Sequence, residues 1–114
     1  MQLECSTLEN GIQLIRLTGK LDTAGTGKIE TKFAGYCAGE SPRVLVDLSA
    51  VDFLASIGIR LLIINAKSLA RRGGKMALLS PIADVKNVLE ITGIPAIIPM
   101  YDSRESAQAV LLAS

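Results

Sequence analysis

The sequence contains no histidine and no tryptophan. Without histidine there is no His-based catalytic triad, no His-ligated metal and no imidazole proton relay. The only two cysteines, Cys5 and Cys37, stand far apart and form no CxxC pair. Free thiols in a reducing compartment are expected, with neither a structural zinc site nor a disulfide scaffold. Two Phe and two Tyr are too few aromatics for a base-stacking platform. Lys and Arg exceed Asp and Glu by only 12 to 11, so no global field draws the chain to nucleic acid or to an anionic membrane. The longest apolar stretch, IGIRLLIINA, is broken by Arg60 and is too short to span a bilayer. The N-terminus, MQLECSTLEN, carries acids and no apolar run of signal-peptide length. These absences predict a soluble cytoplasmic protein without cofactor, nucleic-acid partner or membrane partner.

What remains is a chain of 114 residues, 49% hydrophobic and 20% charged, suited to one globular domain over 1–114. ECSTLENGIQLIRLT predicts two strands around an Asn10-Gly11 turn. Ile12 and Leu14 alternate with Ile15 and Leu17, so the second strand has apolar residues on both faces. Ile29, Phe33 and Tyr36 recur at helical spacing, with Asp22 or Thr23 as the cap and Pro42 at the exit. RVLVDLSAVDF predicts a buried strand over 44–48 followed by a short connection. A helix over 56–72 ends at Gly73-Gly74. KMALLS is a strand. Pro81 opens a helix whose core face carries Ile82, Val85, Leu89 and Thr92, and Gly93 stops it. AIIPMY is a last short strand, and 103–112 a final amphipathic helix. This order predicts an α/β fold: a mainly parallel mixed sheet with an N-terminal β-hairpin and about four helices.

The residues argue against an enzyme. GTGK at 25–28 is no phosphate loop, because Asp22 stands where a P-loop needs glycine and Ile29 where it needs Ser or Thr. Asp47 and Asp52 imitate a catalytic pair, but no partner base is evident.

The helix over 56–72 is more telling. At 100° per residue, Ile59, Leu62, Ile63, Ala66, Leu69 and Ala70 form the expected core face. Arg60, Asn65, Lys67, Ser68, Arg71 and Arg72 fall opposite, yet Ile57, Leu61 and Ile64 lie among them. Large apolar residues ringed by cations suggest a docking surface; the alternative is that a neighbouring helix covers them. Ser56, at the helix start, is by position an N-cap. The same spot, with free N–H groups and a positive dipole end, also welcomes a phosphate. Gly58 beside it would leave the backbone open to a partner.

VLVDLSAVDFLASIGIRLLI resembles the signature of the STAS domain of bacterial anti-sigma factor antagonists. LIRLTGKLD, RRGGKMALLSP and ITGIPAIIPMYDSRESA look like the same family, so the resemblance covers nearly the whole chain. It implies a partner-switching protein. The unmodified antagonist binds a serine kinase that otherwise holds a sigma factor or another client. Phosphorylation of the helix-start serine, here Ser56, releases it, and a metal-dependent serine phosphatase resets it. The partner-binding residues so implied are Asp22, Thr23, Ile57, Gly58, Arg60, Leu61, Ile64 and Lys67. This chain departs from many members in having Ala55 where they have Asp, and Arg60 where they have a small residue. Two other functions fit these residues: a non-switching STAS subunit of a transport or lipid-handling assembly, and a small nucleotide-binding domain using Asp22, Asp47 and Ser56.

Overall fold

The computed structural model describes residues 1–39 and 42–113. The elements run β1 (Gln2–Thr7), β2 (Gln13–Leu21), α1 (Thr23–Cys37), β3 (Arg43–Leu54), α2 (Ser56–Arg71), β4 (Lys75–Leu79), α3 (Ala83–Ile91), a 3-10 turn (Ile94–Ala96), β5 (Met100–Tyr101) and α4 (Arg104–Leu112). The five strands lie in chain order across one sheet. β1 pairs antiparallel with β2, and every later pairing is parallel.

Strand alternation sorts the core into two layers. Ile15, Leu17, Val44, Val46, Met76 and Leu78 face α1, α2 and α3, which contribute Ile29, Phe33, Leu62, Leu69, Val85 and Leu89. Ile12, Leu14, Leu45, Ala77 and Leu79 point the other way, onto Ala107 and Leu111 of α4. The apolar residues expected on both faces of β2 are therefore explained by helices on both sides of the sheet.

The hairpin forms, but through the five-residue loop 8–12 rather than a two-residue turn. Gly11 takes the positive φ, while Asn10 accepts from the Ile12 N–H through its side chain.

Other boundaries differ from expectation. β3 continues to Leu54 where a connection was expected after Leu48. β2 runs on to Leu21, and its growing end needs a hydrogen-bonded neighbour; β3 supplies it across two register shifts. α3 starts at Ala83, with Ile82 exposed as its cap, so Val85 and Leu89 alone form its buried stripe. Thr92 closes that helix instead, donating to the Val88 carbonyl at 2.8 Å. AIIPMY pairs only at Met100 and Tyr101. Gly93, in the left-handed region, turns the chain into the 3-10 segment, and Pro99 has no N–H to donate.

Cys37, at the end of α1, is buried. Burial pushes its thiol up to about 12, against the opposing pull of Arg72. Arg72 also donates to the carbonyls of Cys37 and Gly39, tying the end of α2 to the end of α1.

Candidate functional site

β2 and β3 end side by side, with Leu21 opposite Leu54. The turns into α1 and α2 therefore leave the sheet together, at the carboxyl ends of parallel strands. The Ala55 N–H donates to the Leu21 carbonyl at 3.0 Å and joins the two turns.

Asp22 is the N-cap of α1, as expected. Its Oδ1 accepts from the Gly25 N–H at 2.7 Å, and its carbonyl accepts from Thr26. Thr23, the other candidate cap, is instead the exposed first residue of the helix.

Ser56 is not the cap of α2. Ala55 holds that position and offers no side-chain acceptor. Ser56 is the first helical residue and is exposed, and among the described residues its hydroxyl makes no hydrogen bond. The reading in which its hydroxyl satisfies the first turn is thus overturned.

Gly58 is buried, not open to a partner. A Cβ there would sit 2.9 Å from Leu21 Cβ, 2.9 Å from Leu54 Cδ1 and 3.1 Å from the Leu21 carbonyl oxygen. The glycine lets the first turn of α2 lie flat against the end of β2.

The buried side of α2 is wider than expected: Leu62, Ala66 and Leu69 lie in the core as the spacing predicts, but they are not alone. Leu61, only 8% exposed, belongs to the core, and Asn65 is buried with its amide donating to the Leu61 carbonyl at 2.9 Å. Ile59 and Ile63 are only partly buried, and Ala70 is exposed. The cause is α1, which packs beside α2 and extends its buried arc to the 58–61–65 side. Leu61 is therefore removed from the free docking face. Ile57 remains half-buried, while Ile64, 57% exposed, Arg60 and Lys67 stay at the surface.

Two features were not expected. Phe53 is 48% exposed at the end of β3, where a strand phenylalanine ordinarily reads as core. Lys20 lies over its ring at 5.9 Å and pairs with Asp52 at 3.5 Å. The only sequence signal was its place two residues before the Ala55-Ser56 turn. The second feature is a groove of about 450 Å³ between α1 and α2, lined by residues of both helices. The sequence raised a covering helix as the alternative to a docking surface, and α1 is that helix for Leu61, but spacing along α2 alone does not show the groove left between the two.

Asp47 stands apart from this region. It is buried on the α4 side of the sheet, where Arg16 Nε lies 3.3 Å from Oδ2 and the Ser49 N–H donates to Oδ1. Seven residues separate it from Leu54, about 23 Å of strand. Asp22, Asp47 and Ser56 thus do not converge, and Asp47 and Asp52 have separate cationic partners. GTGK lies within α1, not in a phosphate-cradling loop. Among the described residues no three His, Cys, Asp or Glu side chains are grouped to hold a metal, and no helix is long and apolar enough to cross a membrane.

The sequence profile of the STAS domain matches residues 7–107. The chain belongs to the STAS domain family. A Bordetella bronchiseptica protein named an anti-sigma factor antagonist, BtrV, is 31% identical over 100 residues, which cover 88% of this chain and 86% of that one. The solved STAS domain of a Planctomyces limnophilus anti-sigma-factor antagonist is 26% identical, covers 96% of both chains and superposes with a TM-score of 0.81. SpoIIAA shares the fold, at 20% identity and a TM-score of 0.81 in its unphosphorylated form, with 99% of this chain and 98% of that one covered. The phosphorylated form of SpoIIAA, from Bacillus, is matched at 19% identity and 0.72, with 96% and 99% covered. This protein is thus a STAS-fold member of the anti-sigma factor antagonist family.

Proposed function

We propose that this protein is the switchable antagonist of a partner-switching pathway. It binds a serine kinase that also serves as an anti-sigma factor, is phosphorylated on Ser56, and is thereby released. A metal-dependent serine phosphatase restores the binding form. The carrying observation is the state of Ser56: exposed, at the first position of α2, with no hydrogen bond to give up among the described residues. A hydroxyl with no role in capping can be modified at little cost to the fold. The first-turn N–H groups and the dipole favour the resulting phosphate. A dianion at the edge of a partly apolar contact must be desolvated on docking, so it opposes rebinding unless the partner supplies cations. The docking surface comprises Ser56, Ile57, Arg60, Ile64 and Lys67 on α2, with Asp22 and Thr23 on the adjoining turn. Gly58 supports this surface from beneath, and Leu61 does so from the core.

Ala55 is the departure that bears on this reading. Without an acid beside the acceptor, the kinase meets a less negative turn, and Arg60 adds positive charge one turn further on. The test is incubation with the partner kinase and ATP, followed by mapping of the phosphate by mass spectrometry. Phosphate on Ser56 is expected. Phosphate on Thr23 or Ser49, with Ser56 untouched, would overturn the assignment.

A further inference from the structure

The groove between α1 and α2 shares Ile57, Arg60 and Ile64 with the docking surface proposed above, and its α1 wall adds chemistry that docking at Ser56 does not call on. On α1, Thr26, Glu30 and Ala34 succeed one another at intervals of four residues and so form one wall. On α2, Ile57, Arg60, Leu61 and Ile64 form the other. The volume, about 450 Å³, falls within the range of small-molecule sites.

Three of these side chains lack partners. Thr26 is 1% exposed, and its Oγ1 has no hydrogen bond among the described residues. Buried hydroxyls are ordinarily satisfied, so an orphaned one lining a groove needs a cause. The Oγ1 is buried in its present rotamer, and a ligand would reach it only through rotation to the second χ1 rotamer open to a helical threonine. Glu30 and Arg60 are exposed, on opposite walls, and neither has an ion-pair partner among the described residues. A ligand with only a carboxylate would meet Glu30 as well as Arg60. A ligand with only an amine would meet the reverse conflict. A molecule carrying both charges and an apolar body suits both walls.

We propose that this groove binds a free apolar α-amino acid. The ammonium lies by Glu30 and the Thr26 hydroxyl, the carboxylate by Arg60, and the side chain against Ala34, Leu61 and Ile64.

The experiment is a 15N–1H NMR titration of the full chain with L-phenylalanine, to about 10 mM, enough to saturate a millimolar site. Saturable shifts confined to the groove residues are expected. N-acetyl-phenylalanine, which lacks the ammonium, and phenylalanine amide, which lacks the carboxylate, should each bind at least about fivefold more weakly. Glu30→Gln and Arg60→Gln should weaken phenylalanine by a similar factor. Thr26→Val should weaken it too, while the variant melts no lower than wild type because it removes an unpaired buried hydroxyl. No saturable shift, or shifts centred elsewhere, would overturn the proposal. So would an N-acetyl or amide analogue binding as well as phenylalanine, the amide result pointing instead to a peptide N-terminus. Ser56 plays no part in this titration, so its outcome is independent of the phosphorylation assay.

Discussion

Gly58→Ala sets two effects of similar size against each other, and the geometry says which wins. Alanine is favoured over glycine inside a helix by about 1 kcal/mol. At position 58, however, the new methyl would stand 2.9 Å from both Leu21 Cβ and Leu54 Cδ1, and 3.1 Å from the Leu21 carbonyl oxygen. Comfortable carbon contacts begin at about 3.5 Å. Leu54 Cδ1 is the end of a flexible side chain and can swing away. Leu21 Cβ and its carbonyl cannot, because that carbonyl holds the Ala55 N–H at 3.0 Å and Leu21 is paired with Leu54 of β3. Overpacking of this kind costs about 1–3 kcal/mol. The net expectation is a loss of up to about 2 kcal/mol, with the melting temperature falling by roughly 4–8 °C for each kcal/mol lost.

Two glycines of α1 calibrate the measurement. Nothing lies within 4 Å of a Cβ at Gly27, so Gly27→Ala should stabilise by about 1 kcal/mol. A Cβ at Gly25 would collide with the Lys20 carbonyl oxygen and press on the capping carboxylate of Asp22. Gly25→Ala should therefore cost more than about 3 kcal/mol. Urea and thermal unfolding of the four proteins should give the order Gly27→Ala, wild type, Gly58→Ala, Gly25→Ala, from most to least stable. A Gly58→Ala variant as stable as Gly27→Ala would refute the packing account. If it also bound the kinase more weakly, Gly58 would be an approach point for the partner after all.

Leu61→Ala should destabilise by about 2–5 kcal/mol, as for a core leucine, whereas Ile64→Asp should stay within about 0.5 kcal/mol of wild type in urea unfolding and, as a docking hot spot, weaken kinase binding by about 2 kcal/mol or more. Because burial raises the Cys37 thiol to about 12, the unfolded chain releases that proton first as pH rises above about 9. The contribution of the thiol to stability is complete below its unfolded value and should be lost by up to about 1.4 kcal/mol per pH unit toward 12; a Cys37→Ala variant whose alkaline unfolding curve matches wild type would contradict this. Arg60 is four residues beyond Ser56, and helical side chains lean toward the N-terminus, so its guanidinium should depress the second pKa of a Ser56 phosphate below its usual value of about 6. The added stability should be present above the unfolded-state pKa and lost as pH falls through the folded one; phosphorus NMR of the phosphorylated protein should show Arg60→Ala titrating at higher pH, and equal midpoints would exclude the contact.

The architecture was legible because alternation and helical spacing agree with local propensity along most of the chain. Ile12 to Leu17 announced a strand buried on both sides, and the structure supplies α4 for one side and α1 to α3 for the other. The misjudged boundaries have a common source. Ser49 to Phe53 reads as a short connection, yet it is strand because β2 needs a partner there. Ile97 and Ile98 read as strand, but the chain reaches β4 only from Pro99 onward, whose carbonyl accepts from the Leu78 N–H. In both places pairing with another segment decided the outcome, and a local window does not contain that segment.

The site shows the same division at finer scale. Asp22 was legible as a cap because capping is settled within four residues. Ser56 was misplaced by one residue, and that one residue changes its chemistry, since an N-cap hydroxyl is spent on the backbone and a first-turn hydroxyl is not. The width of the buried face of α2 was the larger error. Its own sequence allows two apolar arcs, one centred on Ile59, Leu62 and Ile63, the other including Leu61 and Gly58. The first packs on the core as expected, and α1, contributing Thr26 and Ala34 from some 30 residues upstream, covers the second as well. The same contact buries Leu61, leaves Ile64 exposed and creates the groove. The exposed part of the helix is therefore what α1 fails to cover. Substitutions on the facing side of α1, such as Ala34→Leu, should thus alter docking on α2 although they lie on a different helix from Ser56.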